Sequence, residues 1–298
     1  MQAGDARMTA VSSAAPSPTL LRERALPATV PLTVAGAGLL ALTAAAGEPF
    51  VALALALGGY LLSLGLPAAL GASNLHRSGF VLALATLLAS AAVLGIEDEP
   101  RLRLLPVAIA ASLIVAFLMQ LTRSDNRPQL ARTIASDALG LAVIASGLSL
   151  APVADLHAEQ AVVGAAMAAI AVSALLDLLL AGPYAAWLLP GAALLGAVGA
   201  MLVGLAVAGG ATLWAYAVLG AVAAATAQAT RRVLTDAALH PTSAPASAAD
   251  GASSAWLTRE QASAARATVS KDSALTVAVA GLLAPGLAVF AIARLFLG

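Results

Sequence analysis

Residues 160–181 read QAVVGAAMAAIAVSALLDLLLA, an apolar run broken by a single charge, Asp177. A bilayer's hydrocarbon core is about 30 Å thick, and about 20 residues of α-helix at 1.5 Å rise cross it. Only a helix can carry such a run through lipid. Hydrocarbon leaves no backbone group unpaired, and the stretch lacks the alternation of a barrel strand. Eight further stretches repeat the pattern, at 27–45, 49–70, 79–96, 104–122, 134–153, 187–208, 211–228 and 273–293. The expected fold is all-α, a polytopic transmembrane helix bundle of about nine spans.

Composition agrees. The chain is 61% hydrophobic and 10% charged, with mean hydropathy +0.94, against about 25% charged residues in soluble domains. A water-soluble protein of 298 residues needs a charged shell that is missing here. The expected partner is therefore the lipid bilayer, with other membrane subunits or a homo-oligomer as further possibilities. Formal net charge is zero, which gives no electrostatic case for nucleic acid. The absence of cysteine removes disulfides, thiolate metal sites and cysteine nucleophiles. His76, His157 and His240 fall in three separate loops, so neither a metal site nor a cofactor is expected. Fourteen of the fifteen basic residues are Arg, which with the Ala content points to a GC-rich bacterial genome and an inner-membrane location.

Arg and Lys set the expected orientation. With the N-terminus in the cytoplasm, twelve basic residues fall on cytoplasmic segments. Only Arg101, Arg103 and Arg294 fall outside, and the outer loop Glu97-Asp98-Glu99 is acidic as well. The C-terminus is then outside. The expected organisation is a cytoplasmic tail at 1–26, an eight-helix region at 27–228, a cytoplasmic and largely disordered loop at 229–272, and a last transmembrane helix within 273–298. Arg22-Glu23-Arg24 precedes a full-length span, so the first helix reads as a signal anchor rather than a cleaved signal. Within the long loop, Trp256-Leu257-Thr258 could open a short interfacial helix.

Three intramembrane features carry the functional reading. Asp177 is the sharpest, because a carboxylate in hydrocarbon costs roughly 2.5–3.5 kcal/mol on insertion scales unless it is paired, protonated or hydrated. Ser173 lies one turn earlier on the same face, and Asp137, Arg132 and Gln228 fall near the same, cytoplasmic ends of their spans. These five form a candidate polar cluster open to the cytoplasm. The alternative is that Asp177 pairs with one arginine and locks two helices together. The second feature is the stripe Ala192, Gly196, Ala200, Gly204 and Ala208, spaced four apart. It makes a groove for close helix packing, either within the chain or against a second copy. Third, Pro285 has no amide hydrogen to give the carbonyl of Gly281, so a kink is expected in the last span. In transporters such breaks bind ions.

Motifs for hydrolysis, phosphate loops and zinc helices are absent. The loop Arg123-Ser124-Asp125-Asn126-Arg127, the run from Asp177 to Tyr184, Arg231-Arg232-Val233-Leu234-Thr235-Asp236 and Lys271-Asp272-Ser273 resemble the arrangement in bacterial phosphatidate cytidylyltransferases (CDP-diacylglycerol synthases). The resemblance covers about residues 104–293. It implies a multi-helix inner-membrane protein with a cytoplasm-facing polar site. The family's Gly-Asp position here reads Ala227-Gln228-Ala229, and no His-Gly-Gly occurs. The resemblance thus implies a relative without the residues for magnesium and nucleotide phosphates, and no catalytic residue carries over. The expected function is non-enzymatic, an accessory subunit or a small permease-like protein. The alternative is a lipid-modifying enzyme drawing on Asp137, Asp177, Asp236 and Asp272.

Overall fold

A computed structural model describes residues 18–70, 72, 75–95, 102–122, 130–154, 160–179, 187–208, 213–239 and 273–297. Within them the chain is helical, with no strand. The helices are α1 (Pro18–Ala46), α2 (Glu48–Ala69), α3 (Leu75–Leu94), α4 (Leu105–Leu121), α5 (Leu130–Leu148), α6 (Gln160–Leu179), α7 (Leu188–Ala208), α8 (Leu213–Leu239) and α9 (Ser273–Phe296). Eight are long and apolar enough to cross a membrane.

The ninth, α4, has 17 residues and spans about 25 Å. Its last turn meets the start of α3. Arg77, at the start of α3, donates from Nη1 to the carbonyl of Met119 at the end of α4, at 3.2 Å. The two helices are therefore antiparallel and meet at one end. The first turns of α5 begin at that same end, because Asp137 lies beside Ser78 of α3 and Gln120 of α4.

Local chemistry explains the connections. A single residue, Gly47, joins α1 to α2 with φ +111°, a backbone region that residues with a Cβ rarely adopt. In α9 the helix breaks at Ala284 and Pro285 and resumes at Gly286, where the kink was expected. Two boundaries differ from the sequence reading. Helix α1 starts at Pro18, inside the expected tail, and α8 runs on to Leu239, into the expected loop. The pair Arg231-Arg232 reads as a membrane boundary in sequence. The fold instead buries Arg231 among other helices, so the charge does not end the span. The expected interfacial helix near Trp256 lies outside the described residues.

Packing inverts the soluble pattern. Many large side chains, such as Leu42, Leu64, Leu87, Leu194 and Leu202, point outward, although others, such as Leu62, Ile144 and Leu219, are buried. The interior of α6 is built from Ala161, Ala165, Ala166, Ala169 and Ala174. Lipid is as apolar as leucine, so association gains from close backbone approach rather than from hiding large residues. The small-residue stripe of α7 shows this. Gly196 packs on the carbonyl of Gly220 and the methyl of Ala224, and Gly204 packs under the ring of Tyr216, all on α8. The groove is thus filled from within the chain. Helix α6 packs against α1, α7 and α8, while α5 packs against α2, α3 and α4, and the second half of α9 packs against α8 and α5.

Candidate functional site

Asp177 lies in the last turn of α6, and Ser173 one turn before it faces the same way. Gln228 and Arg231, three residues apart on α8, share the face that meets them. The four side chains form one network, in which Arg231 Nε and Nη1 make no hydrogen bond. Gln228 Nε2 donates to Asp177 Oδ1 at 2.5 Å, and Arg231 Nε lies 3.4 Å from Asp177 Oδ2. Arg231 Nη2 donates to Gln228 Oε1 at 2.5 Å and to Ser173 Oγ at 3.0 Å. Ser173 passes its own hydrogen to the carbonyl of Ile170 at 2.8 Å. Both ends of the Gln228 amide and both carboxylate oxygens of Asp177 are therefore engaged.

The network is dry. Exposure is 0% at Ser173, 1% at Gln228, 4% at Arg231 and 7% at Asp177. Room for the guanidinium comes from α9. A Cβ on Gly281 would lie 2.8 Å from Arg231 Cγ and 3.2 Å from Cδ, so glycine gives the arginine stem room that a larger residue would make it yield. Gly281 was singled out for the carbonyl that Pro285 leaves unbonded. Its larger role is the space it gives Arg231. The corner thus joins three helices, with acid on α6, base on α8 and the gap on α9.

Of the sequence candidates, Asp177, Ser173 and Gln228 come together. Asp137 does not join them. Its neighbours are Ser78 on α3 and Gln120 on α4, and no contact links it to Asp177. The side chain of Arg132 lies outside the described residues. Sequence reasoning left out Arg231 from the cluster, although the Gln228–Arg231 spacing placed them on one helical face. It also left out Ser78 and Gln120, each an isolated polar residue near the end of an apolar helix.

The α9 break is also satisfied internally. Ser146 of α5 donates from Oγ to the carbonyl of Ala284 at 2.6 Å and accepts from the amide of Leu287 at 2.9 Å. One hydroxyl replaces two intrahelical bonds across the kink, which is how broken membrane helices are tolerated. Among the described residues, no group of three or more His, Cys, Asp or Glu is placed to hold a metal ion. Comparison with known proteins finds no relative. No family model, no curated protein and no solved structure matches this chain.

Proposed function

We propose that this chain is a non-enzymatic, multi-pass protein of a bacterial inner membrane, an accessory subunit of a larger assembly, with its N-terminus in the cytoplasm. One observation carries the reading: the Asp177 carboxylate is consumed by Arg231 and Gln228 of its own chain. A group held in this way ties helices together and is not free to meet a substrate. The small-residue groove and the α9 break, the two features a permease pathway would draw on, are likewise occupied by Gly220, Ala224 and Ser146. The twelve-to-three split of basic residues supports the orientation.

A lipid-modifying enzyme of the cytidylyltransferase type would need acidic groups converging on a divalent cation. Asp137 and Asp177 belong to different corners, Asp236 is exposed on α8, and Asp272 lies outside the described residues. Two experiments test the proposal. Purified protein in liposomes given phosphatidic acid, CTP and magnesium is expected to form no CDP-diacylglycerol, and turnover would replace this reading with the enzymatic one. Mild extraction from native membranes is expected to yield the chain within a heteromeric complex. Recovery as a lone monomer or homo-oligomer would sink the subunit assignment.

A further inference from the structure

Among the described residues, the second buried carboxylate has no cationic partner. Asp137 is 2% exposed, and the side chains beside it, Ser78 and Gln120, are 1% and 7% exposed. They come from three helices, α5, α3 and α4. Ser78 and Gln120 are hydrogen-bonding neighbours of the carboxylate, but one oxygen on each of the three residues stays without a well-formed hydrogen bond. Asp137 Oδ1, Ser78 Oγ and Gln120 Oε1 are all buried without a hydrogen-bond partner. Buried polar atoms are nearly always satisfied. One carboxylate oxygen and two neighbouring oxygens left over in this way define an occupant: it accepts lone pairs from all three and offsets a negative charge.

Arg231 performs both tasks for Asp177. At Asp137, no described arginine or lysine contacts the carboxylate. A water molecule could bridge the oxygens but would leave the charge. A hard cation answers both needs, because carboxylate, amide carbonyl and hydroxyl oxygens are its preferred donors. A single carboxylate balances a single positive charge, which favours a monovalent ion over a divalent one. We propose that Asp137, Gln120 and Ser78 form a binding site for an alkali cation of the sodium class, at the end of the bundle where α3 begins and α4 ends. The inference goes beyond the subunit reading and does not depend on it, since a bound cation can brace three helices in either kind of protein.

The test uses the full chain purified in detergent. Thermal unfolding is followed in NaCl, KCl, LiCl and choline chloride at constant ionic strength, together with equilibrium binding of radioactive sodium. The expected result is one sodium bound per chain and a Tm that climbs with NaCl but not with choline chloride. Asp137→Asn, which keeps the size and removes the charge, is expected to lose both. Gln120→Leu, which leaves the carboxylate in place, is expected to weaken binding and shift the sodium dependence to higher concentration. It keeps the proposal testable if the first variant fails to fold. Wild-type protein that binds no sodium and melts at one temperature in all four salts would overturn the proposal and assign the site to a proton or to water. Sodium binding that survives both substitutions would overturn it as well.

Discussion

Two carboxylates lie at the same end of this bundle, and the fold treats them in opposite ways. Asp177 is clamped by Arg231 and Gln228 in a network whose carboxylate, amide and hydroxyl groups are all engaged. Asp137 sits among Ser78 and Gln120 with an oxygen left over on each. The sequence environments hardly differ, since each is a lone acid near the end of an apolar helix. The contrast shows that an intramembrane charge has no fixed meaning. Its role depends on whether a neighbouring helix brings a cation to it.

The largest expected effect comes from breaking the corner whose acid has a cationic partner. Arg231→Ala leaves Asp177 buried and unpaired, and should lower unfolding stability in detergent by about 3–5 kcal/mol. Replacing both partners, as Asp177→Leu with Arg231→Met, should recover most of that loss, because apolar residues of similar volume commonly substitute for a buried pair without penalty. A double variant as unstable as the single would show that the ion pair is not what Arg231 contributes.

Ser146→Ala extends the comparison to an uncharged group. It strands the carbonyl of Ala284 and the amide of Leu287 at the α9 break, and should cost about 1–3 kcal/mol. No measurable loss would mean that the break closes on itself without α5. Gly281→Ala probes the space behind Arg231. The nearest atoms belong to a flexible side chain, so the strain can be shared, and about 1 kcal/mol of destabilisation is expected. A larger loss would show the arginine stem to be held rigidly.

The smallest effect is expected at the other carboxylate. In choline chloride, Asp137→Asn should cost no stability or raise it by about 1 kcal/mol, because it removes a buried charge to which no described residue brings a counterion. Loss of several kcal/mol there would erase the distinction between the two corners and reveal a hidden partner for Asp137.

Much of the fold was legible in the sequence. The length and apolarity of runs such as 160–181 give the helices, and Pro285 gives the break in α9. The tight stripe on α7 was legible as a packing surface, and α8 proves to be its occupant. Less of the site was legible. Asp177, Ser173 and Gln228 could be grouped because spacing on one helix is a local property. Arg231 was taken for a membrane boundary, since sequence shows a charge but not the gap at Gly281 that admits it. Asp137 was grouped with Asp177 from their shared end of the bundle, a level of detail too coarse to say which neighbours each one faces.

By itself the sequence determined that this protein is a bundle of helices made for lipid. Hydropathy and span length are sums over neighbouring residues and need no knowledge of distant ones. Only the tertiary structure decided which polar groups meet. These helices carry Ala and Leu on every side, so nothing local fixes how each one is rotated. Rotation follows from how closely backbones can approach at residues such as Gly196 and Gly220. That geometry turns Arg231 toward Asp177 and leaves Asp137 beside Ser78 and Gln120.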